Sequence, residues 1–203
     1  MIQNMVDGAQ AISKNRNAQT DYTRTQGGVV KSVRSGPFLH TFSITPGYPS
    51  RSEHDSIVSD LLENQVGPYT LTMPEFAVRT NDVYIGSSNT PVVNGGSQTD
   101  NTIAIDGLAA DTTNVFQRGD TVQFAGVDFT YVVIEDVSSN ADGEAILTLD
   151  MPVASAPDDN AVVRVGTDIE WNLYLEEIPA ELGAGNLPFN ASYSGAFLFR
   201  EGR

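Results

Sequence analysis

Between residues 102 and 165 the chain offers a succession of short alternating stretches: Thr102–Ile105, Thr121–Phe124, Phe129–Asp136, Glu144–Leu149 and Ala161–Val165. Turn residues separate them, among them Asp106-Gly107, Arg118-Gly119-Asp120 and Asp142-Gly143. A period of two sends successive side chains to opposite faces, which suits a half-buried strand and denies a helix its apolar stripe. Strands this short and this closely spaced pair with their neighbours through tight turns. The spacing predicts a small antiparallel barrel or sandwich over 96–165.

The flanking segments predict a second β-rich body. Val29–Val33 is a first strand candidate, and Phe38–Ile44 a second, with Phe38, His40, Phe42 and Ile44 sharing one face. Pro46-Gly47 and Pro49 end it. One helix follows, over 51–66. Ser50 and Glu53 have capping-box spacing, Ile57, Val58, Leu61 and Leu62 form one apolar stripe, and Gly67-Pro68 stops it. Glu53, Asp55, Asp60 and Glu63 fall on its wet side. Tyr69–Met73 alternates as a strand closed by Pro74. Ile169–Glu176 places Ile169, Trp171, Leu173 and Leu175 on one face, and Ala196–Phe199 is a last strand. Residues 1–28 are polar without a periodic stripe and read as an extended arm, ordered only where something packs on it. The Gly/Ser-rich passage 86–101 marks a boundary. The expected organisation is therefore an arm (1–28), a mainly β domain with one packed helix (29–95 plus 166–203), and the small antiparallel β-barrel (96–165) inserted into it.

Charge separates the same halves. Residues 1–79 hold seven basic and seven acidic side chains, whereas 80–203 hold four and 19, and so the whole net charge of −15. An acidic surface repels phosphates and anionic membranes, which argues against specific nucleic-acid or membrane binding. With 203 residues the chain buries roughly 70% of its unfolded surface without staples. The absence of cysteine removes disulfides, thiolate metal sites and thiol nucleophiles. No apolar run reaches the ~20 residues that span a bilayer, and Met1–Asp7 lacks the order of a signal peptide. The expectation is a soluble protein made in a reducing cytosol.

Candidate chemistry is sparse. The histidines, His40 and His54, have no nucleophile elbow to serve. Asp136, Ser138, Asn140, Asp142 and Gly143 alternate like a calcium loop, but counting from Ser138 the twelfth position is Leu149 where a bidentate Glu belongs, so a hairpin turn is the better reading. Arg118-Gly119-Asp120 spells an adhesion tripeptide, yet between strands Gly-Asp is turn chemistry. The paired acids Glu135-Asp136, Asp158-Asp159 and Glu176-Glu177 point to opposite strand faces. No catalytic, cofactor or metal site is expected, and the chain reads as a structural subunit and not an enzyme.

Three segments, in order, carry a resemblance. The first runs from Val33-Arg34 through Phe38–Ile44, Tyr48-Pro49-Ser50 and the helix to Gly67-Pro68-Tyr69-Thr70-Leu71-Thr72-Met73-Pro74. The second is Gly119–Gly126 with Tyr131-Val132-Val133 and Gly143–Pro152, and the third is Ile169–Leu175. Together they resemble the distal tail or tail-hub (baseplate) proteins of long-tailed bacteriophages, although Phe42 stands where that family usually has Trp. The resemblance implies a tail-tube-like β-domain in a ring of six, or three, copies. Such a ring links the tail tube protein to the hub or receptor-binding tip and forms part of the channel for genome passage, so it implies location in the virion after synthesis in the host cytoplasm. Lys31, Arg34 and Arg51 are the candidate subunit contacts, as cations of the neutral half facing the acidic half of a neighbour. The alternative is a host-surface module whose 96–165 barrel binds glycans.

Overall fold

The computed structural model describes residues 2–24, 30–47, 51–64, 67–73, 90–178 and 196–202. The protein is mainly β, with several antiparallel sheets. It divides into two compact units, Met1–Leu71 with Asn172–Arg203, and Thr72–Trp171. The second unit is wider at both ends than the 96–165 span.

Among the described residues the first unit is a five-stranded sheet with two helices. Its elements are α1 (Ile2–Asp7), β1 (Ala9–Arg24), β2 (Val30–Pro46), α2 (Arg51–Asn64), β3 (Tyr69–Leu71), β10 (Trp171–Glu177) and β11 (Phe197–Glu201), with strand order β1-β2-β11-β10-β3. β1 pairs antiparallel with β2, β2 with β11, and β11 with β10. Alternation sets the buried face: His40, Phe42 and Ile44 on β2, Phe197, Phe199 and Glu201 on β11, Trp171 and Leu173 on β10, Tyr69 and Leu71 on β3. Tyr69 meets Phe199 edge-on at 5.9 Å, and Phe197 stacks on Phe199 at 6.4 Å. α1 buries Met5 and Val6 and lies against α2, β1, β2 and β3.

Two expectations are corrected here. The stretch read as an arm holds α1 and β1. β1 stays polar because it is an edge strand whose outward face is wet and whose inward face carries Ile12, Lys14 and Arg16, all half-buried. The described part of the Val29–Val33 candidate (from Val30) and Phe38–Ile44 belong to one element, β2. The register slips between Ala18↔Phe38 and Thr20↔Arg34, leaving extra residues on β2 at Ser35-Gly36-Pro37. Proline has no N–H for the ladder, so the strand bulges there and continues.

α2 keeps its expected start, while Ser50 lies outside the described residues. Ile57 is buried, Leu61 only half-buried, and the side chains of Val58 and Leu62 are outside the description. Ile57 is thus the helix's defined anchor. Ile57→Ala is expected to cost about 2–5 kcal/mol of stability, with Leu61→Ala costing visibly less in parallel denaturant melts. Equal losses would contradict this burial pattern.

The second unit contains β4 (Val92–Val93), β5 (Thr102–Asp106), β6 (Thr121–Phe124), β7 (Thr130–Val132), β8 (Ala145–Thr148) and β9 (Val163–Val165). They form two antiparallel three-stranded sheets, β4-β5-β8 and β7-β6-β9. Bridges Val92↔Val162 and Val133↔Leu149 join the sheets at both edges. The strands therefore close in the order β4-β5-β8-β7-β6-β9 and back to β4, which removes exposed strand edges. Ile103, Ile105, Val122, Phe124, Tyr131, Val133, Leu147 and Leu149 fill the interior. Buried Gln123 is satisfied by Glu170, its Nε2 donating to the Glu170 carbonyl at 2.6 Å and its Oε1 accepting the Glu170 N–H at 3.0 Å. The Phe129–Asp136 candidate shrinks to Thr130–Val132 plus the bridge at Val133, and Phe129 is half-buried.

Candidate functional site

The feature that stands out from the first sheet is the reach of its hairpin. β11 pairs with β2 only from Thr41 to Ile44, whereas β1 and β2 remain paired to Arg24↔Val30. From Ala18↔Phe38 outward, β2 has no second neighbour among the described residues. Among the described residues the extension is a two-stranded ribbon about 20 Å long at strand rise. A two-stranded ribbon is marginal in water by itself.

This ribbon holds two of the three candidate contact residues. Lys31 sits opposite Thr23 and Arg34 opposite Thr20. Arg51, the third, opens α2. The side chains of all three lie outside the described residues, as does that of His54. Within 18–38 there are three cations, Arg24, Lys31 and Arg34, against the single acid Asp21. The second unit, by contrast, holds 16 of the chain's 26 acidic residues and three of its 11 basic ones, which is −13 of the −15.

At the root of the ribbon lies a buried polar cluster that sequence reasoning missed. His40 and Glu201 are 2% and 0% exposed, with His40 Nδ1 2.6 Å from Glu201 Oε2. The His40 backbone N–H donates to the same oxygen at 3.3 Å. Arg16 stands opposite His40 in the β1–β2 register. Burial holds the Lys14 ammonium below its ordinary pKa, against the pull of the Glu201 carboxylate, and Arg16 lowers it further. The missed signal was the alternation Phe197-x-Phe199-x-Glu201, which carries the core face of β11 one step past the expected end at Phe199. The pair ties the central strand β11 to the strand that runs out into the ribbon.

Two groups in this unit titrate with opposite consequences at high pH. Burial, with help from Asp60, raises the Tyr69 phenol above its ordinary value near 10.0. The folded state then keeps its proton longer than the unfolded chain, so this contribution is present below pH 10 and is lost as pH rises through the raised value. Lys14 acts oppositely, because the folded state sheds its proton first and stability rises as pH climbs toward the ordinary lysine value of 10.5. The difference in stability between the wild type and Tyr69→Phe is therefore expected to fall steadily above pH 10 in melts taken from pH 8 upward. A pH-independent difference would count against this assignment.

In the second unit the motif-like stretches are structural. Asp120 is 1% exposed, and its Oδ2 accepts the Gln117 N–H at 2.8 Å, so the adhesion tripeptide has its carboxylate turned inward to brace a turn. Asn140 Oδ1 accepts the N–H groups of Asp142 and Glu144 at 3.0 and 2.8 Å, and Asp136 Oδ1 accepts that of Arg118 at 2.9 Å. Gly143 has φ of 75°, and a Cβ there would collide with the Leu108 carbonyl. These oxygens are spent on a turn, and no group of three or more acidic, histidine or cysteine side chains among the described residues is placed to hold a metal ion. Among the described residues no helix is long and apolar enough to cross a membrane. The chain matches no protein-family model, and no curated protein matches its sequence.

Proposed function

We propose that this chain is a structural subunit that closes into a ring through its β-ribbon, and that the ring is the distal tail or tail-hub component of a long-tailed bacteriophage. The observation that carries the reading is the ribbon itself, an edge hairpin of 16- and 17-residue strands that runs well past its own sheet. Such a ribbon gains stability when a neighbouring copy supplies further strand or apolar surface, and one repeated heterologous contact closes a ring. The charge division supports the same arrangement. A basic ribbon and a second unit of −13 attract each other between copies, with Lys31, Arg34 and Arg51 as the contact cations. The remaining acidic surface, facing a channel, repels the genome and lets it slide. In this reading the partners are other copies, six or three to a ring, together with the tail tube protein and the receptor-binding tip. The protein works in the virion, without cofactor or catalysis.

Light scattering on the purified chain is expected to give a mass six or three times 21.8 kDa. The complex should loosen as salt rises to 1 M, where charges are screened over roughly 3 Å. A mass of one copy at every concentration and salt overturns the ring.

A further inference from the structure

We infer that a cleft on the solvent face of the β4-β5-β8 sheet binds a neutral carbohydrate through adjacent hydroxyls of one sugar unit. The cleft has a volume near 440 Å³, within the span of about 300–1,000 Å³ usual for small-molecule sites.

Its shape follows from one small residue. Alternation puts Thr102, Ala104 and Asp106 of β5 on the outer face beside Ile146 and Thr148 of β8 and Glu144 just before it, with Ala104 directly opposite Ile146. The single methyl of Ala104 leaves a depression in the middle of the face. Ile146, 62% exposed, walls one side. Asn94 enters from the end of β4, its N–H donating to the Ala104 carbonyl at 2.9 Å. The loop bearing Ser138 and Asn140 closes the opposite rim.

The polar groups converge on Glu144. Its Oε1 accepts from Asn94 Nδ2 at 3.4 Å and its Oε2 from Asn140 Nδ2 at 3.0 Å. Asn140 is itself fixed by its carbonyl oxygen, which caps two backbone N–H groups. Ser138 Oγ accepts the Asn114 N–H at 3.1 Å, which leaves its hydroxyl hydrogen free to donate. Each side-chain amide has a second hydrogen, and each carboxylate oxygen has further lone pairs. Donors and acceptors thus alternate across a few ångströms, and the side chains that present them are already held in place.

That alternation selects the ligand. Neighbouring sugar hydroxyls donate to a carboxylate and accept from an amide at once, while the ring's C–H face packs on Ile146. An anion is repelled by the −13 of the unit. A cation satisfies Glu144 alone and sets its charge against the two amide N–H donors. A neutral polyol uses every group.

The cleft lies wholly in the second unit and does not rest on the ring, so the full chain in any oligomeric state serves for the test. Saturation-transfer NMR is run with maltohexaose, mannotetraose and chitotetraose as neutral probes, tetragalacturonate as the anionic probe and spermidine as the cationic one. At least one neutral probe is expected to receive saturation. Ala104→Phe, which fills the cleft from the solvent side, abolishes the transfer with thermal melting and solution mass unchanged. Glu144→Gln, near-isosteric, weakens binding about tenfold through loss of a charged acceptor. Transfer to spermidine alone, transfer to none of the neutral probes, or transfer undiminished in Ala104→Phe overturns the proposal.

Discussion

Glu201→Ala is expected to destabilise the first unit by about 3–5 kcal/mol, the cost of breaking a buried pair from one side. Removing the carboxylate leaves His40, 2% exposed, without the oxygen that holds both its ring and its backbone N–H. The half-buried Lys14 loses its nearby countercharge at the same time. His40→Leu alone should also destabilise, because it removes one partner of a carboxylate that is 0% exposed. The double variant His40→Leu/Glu201→Met removes both members of the pair and is expected to cost less than the two single losses added together, although Lys14 still lacks its countercharge. Chemical denaturation of the four proteins gives the coupling directly. Two single-variant losses that simply add would mean the contact contributes nothing as a pair.

If the proposed ring closes through the ribbon, shortening the hairpin is expected to yield single copies without unfolding the subunit. Ala18 and Phe38 face each other just inside the bulge, so an Asn-Gly turn can join them and delete 19–37. The sheet from His40 inward keeps its pairings with β11, and its melting should stay cooperative. Solution mass should fall to that of one chain. The charge reversal Arg34→Glu is a milder version, expected to shift assembly to about tenfold higher protein concentration through one lost contact of roughly 1.4 kcal/mol. A shortened chain that still assembles would place the subunit contacts elsewhere.

Much of this architecture was legible because the face-setting residues obey a period of two. Phe38–Ile44 and Ile169–Leu175 were assigned from that alternation, and His40, Phe42, Ile44, Trp171 and Leu173 are buried. The turn reading of Gly119-Asp120 likewise agrees with an inward Asp120. What stayed hidden had an equally physical reason. β1 carries Lys14 and Arg16 where a core strand would show apolar residues, so its order comes from a partner strand and not from its own pattern. Gly36-Pro37 looked like a break because proline's effect on a ladder is local, whereas a bulge preserves the strand on either side. Leu61 fits the helical stripe yet is half-buried, since a stripe gives direction and not depth. The cleft could not be seen at all. It depends on Ala104 lying across from Ile146, and register between strands about forty residues apart is a tertiary property.

The place of β11 in its sheet has a consequence for how the protein is made. The strand sits between β2 and β10, so the middle of the sheet stays empty until residues 197–201 exist. Glu201 follows His40 by 161 positions. At the usual 5–20 residues per second, a ribosome takes roughly ten to thirty seconds to cover that interval. The second unit, continuous from Thr72 to Trp171, is complete before then and can fold while translation proceeds. The hairpin is synthesised early but lacks the sheet that anchors its base. In the proposed ring, a subunit still being translated would therefore lack the anchored ribbon base that joins copies, and neighbouring nascent chains on one message would be kept from joining prematurely.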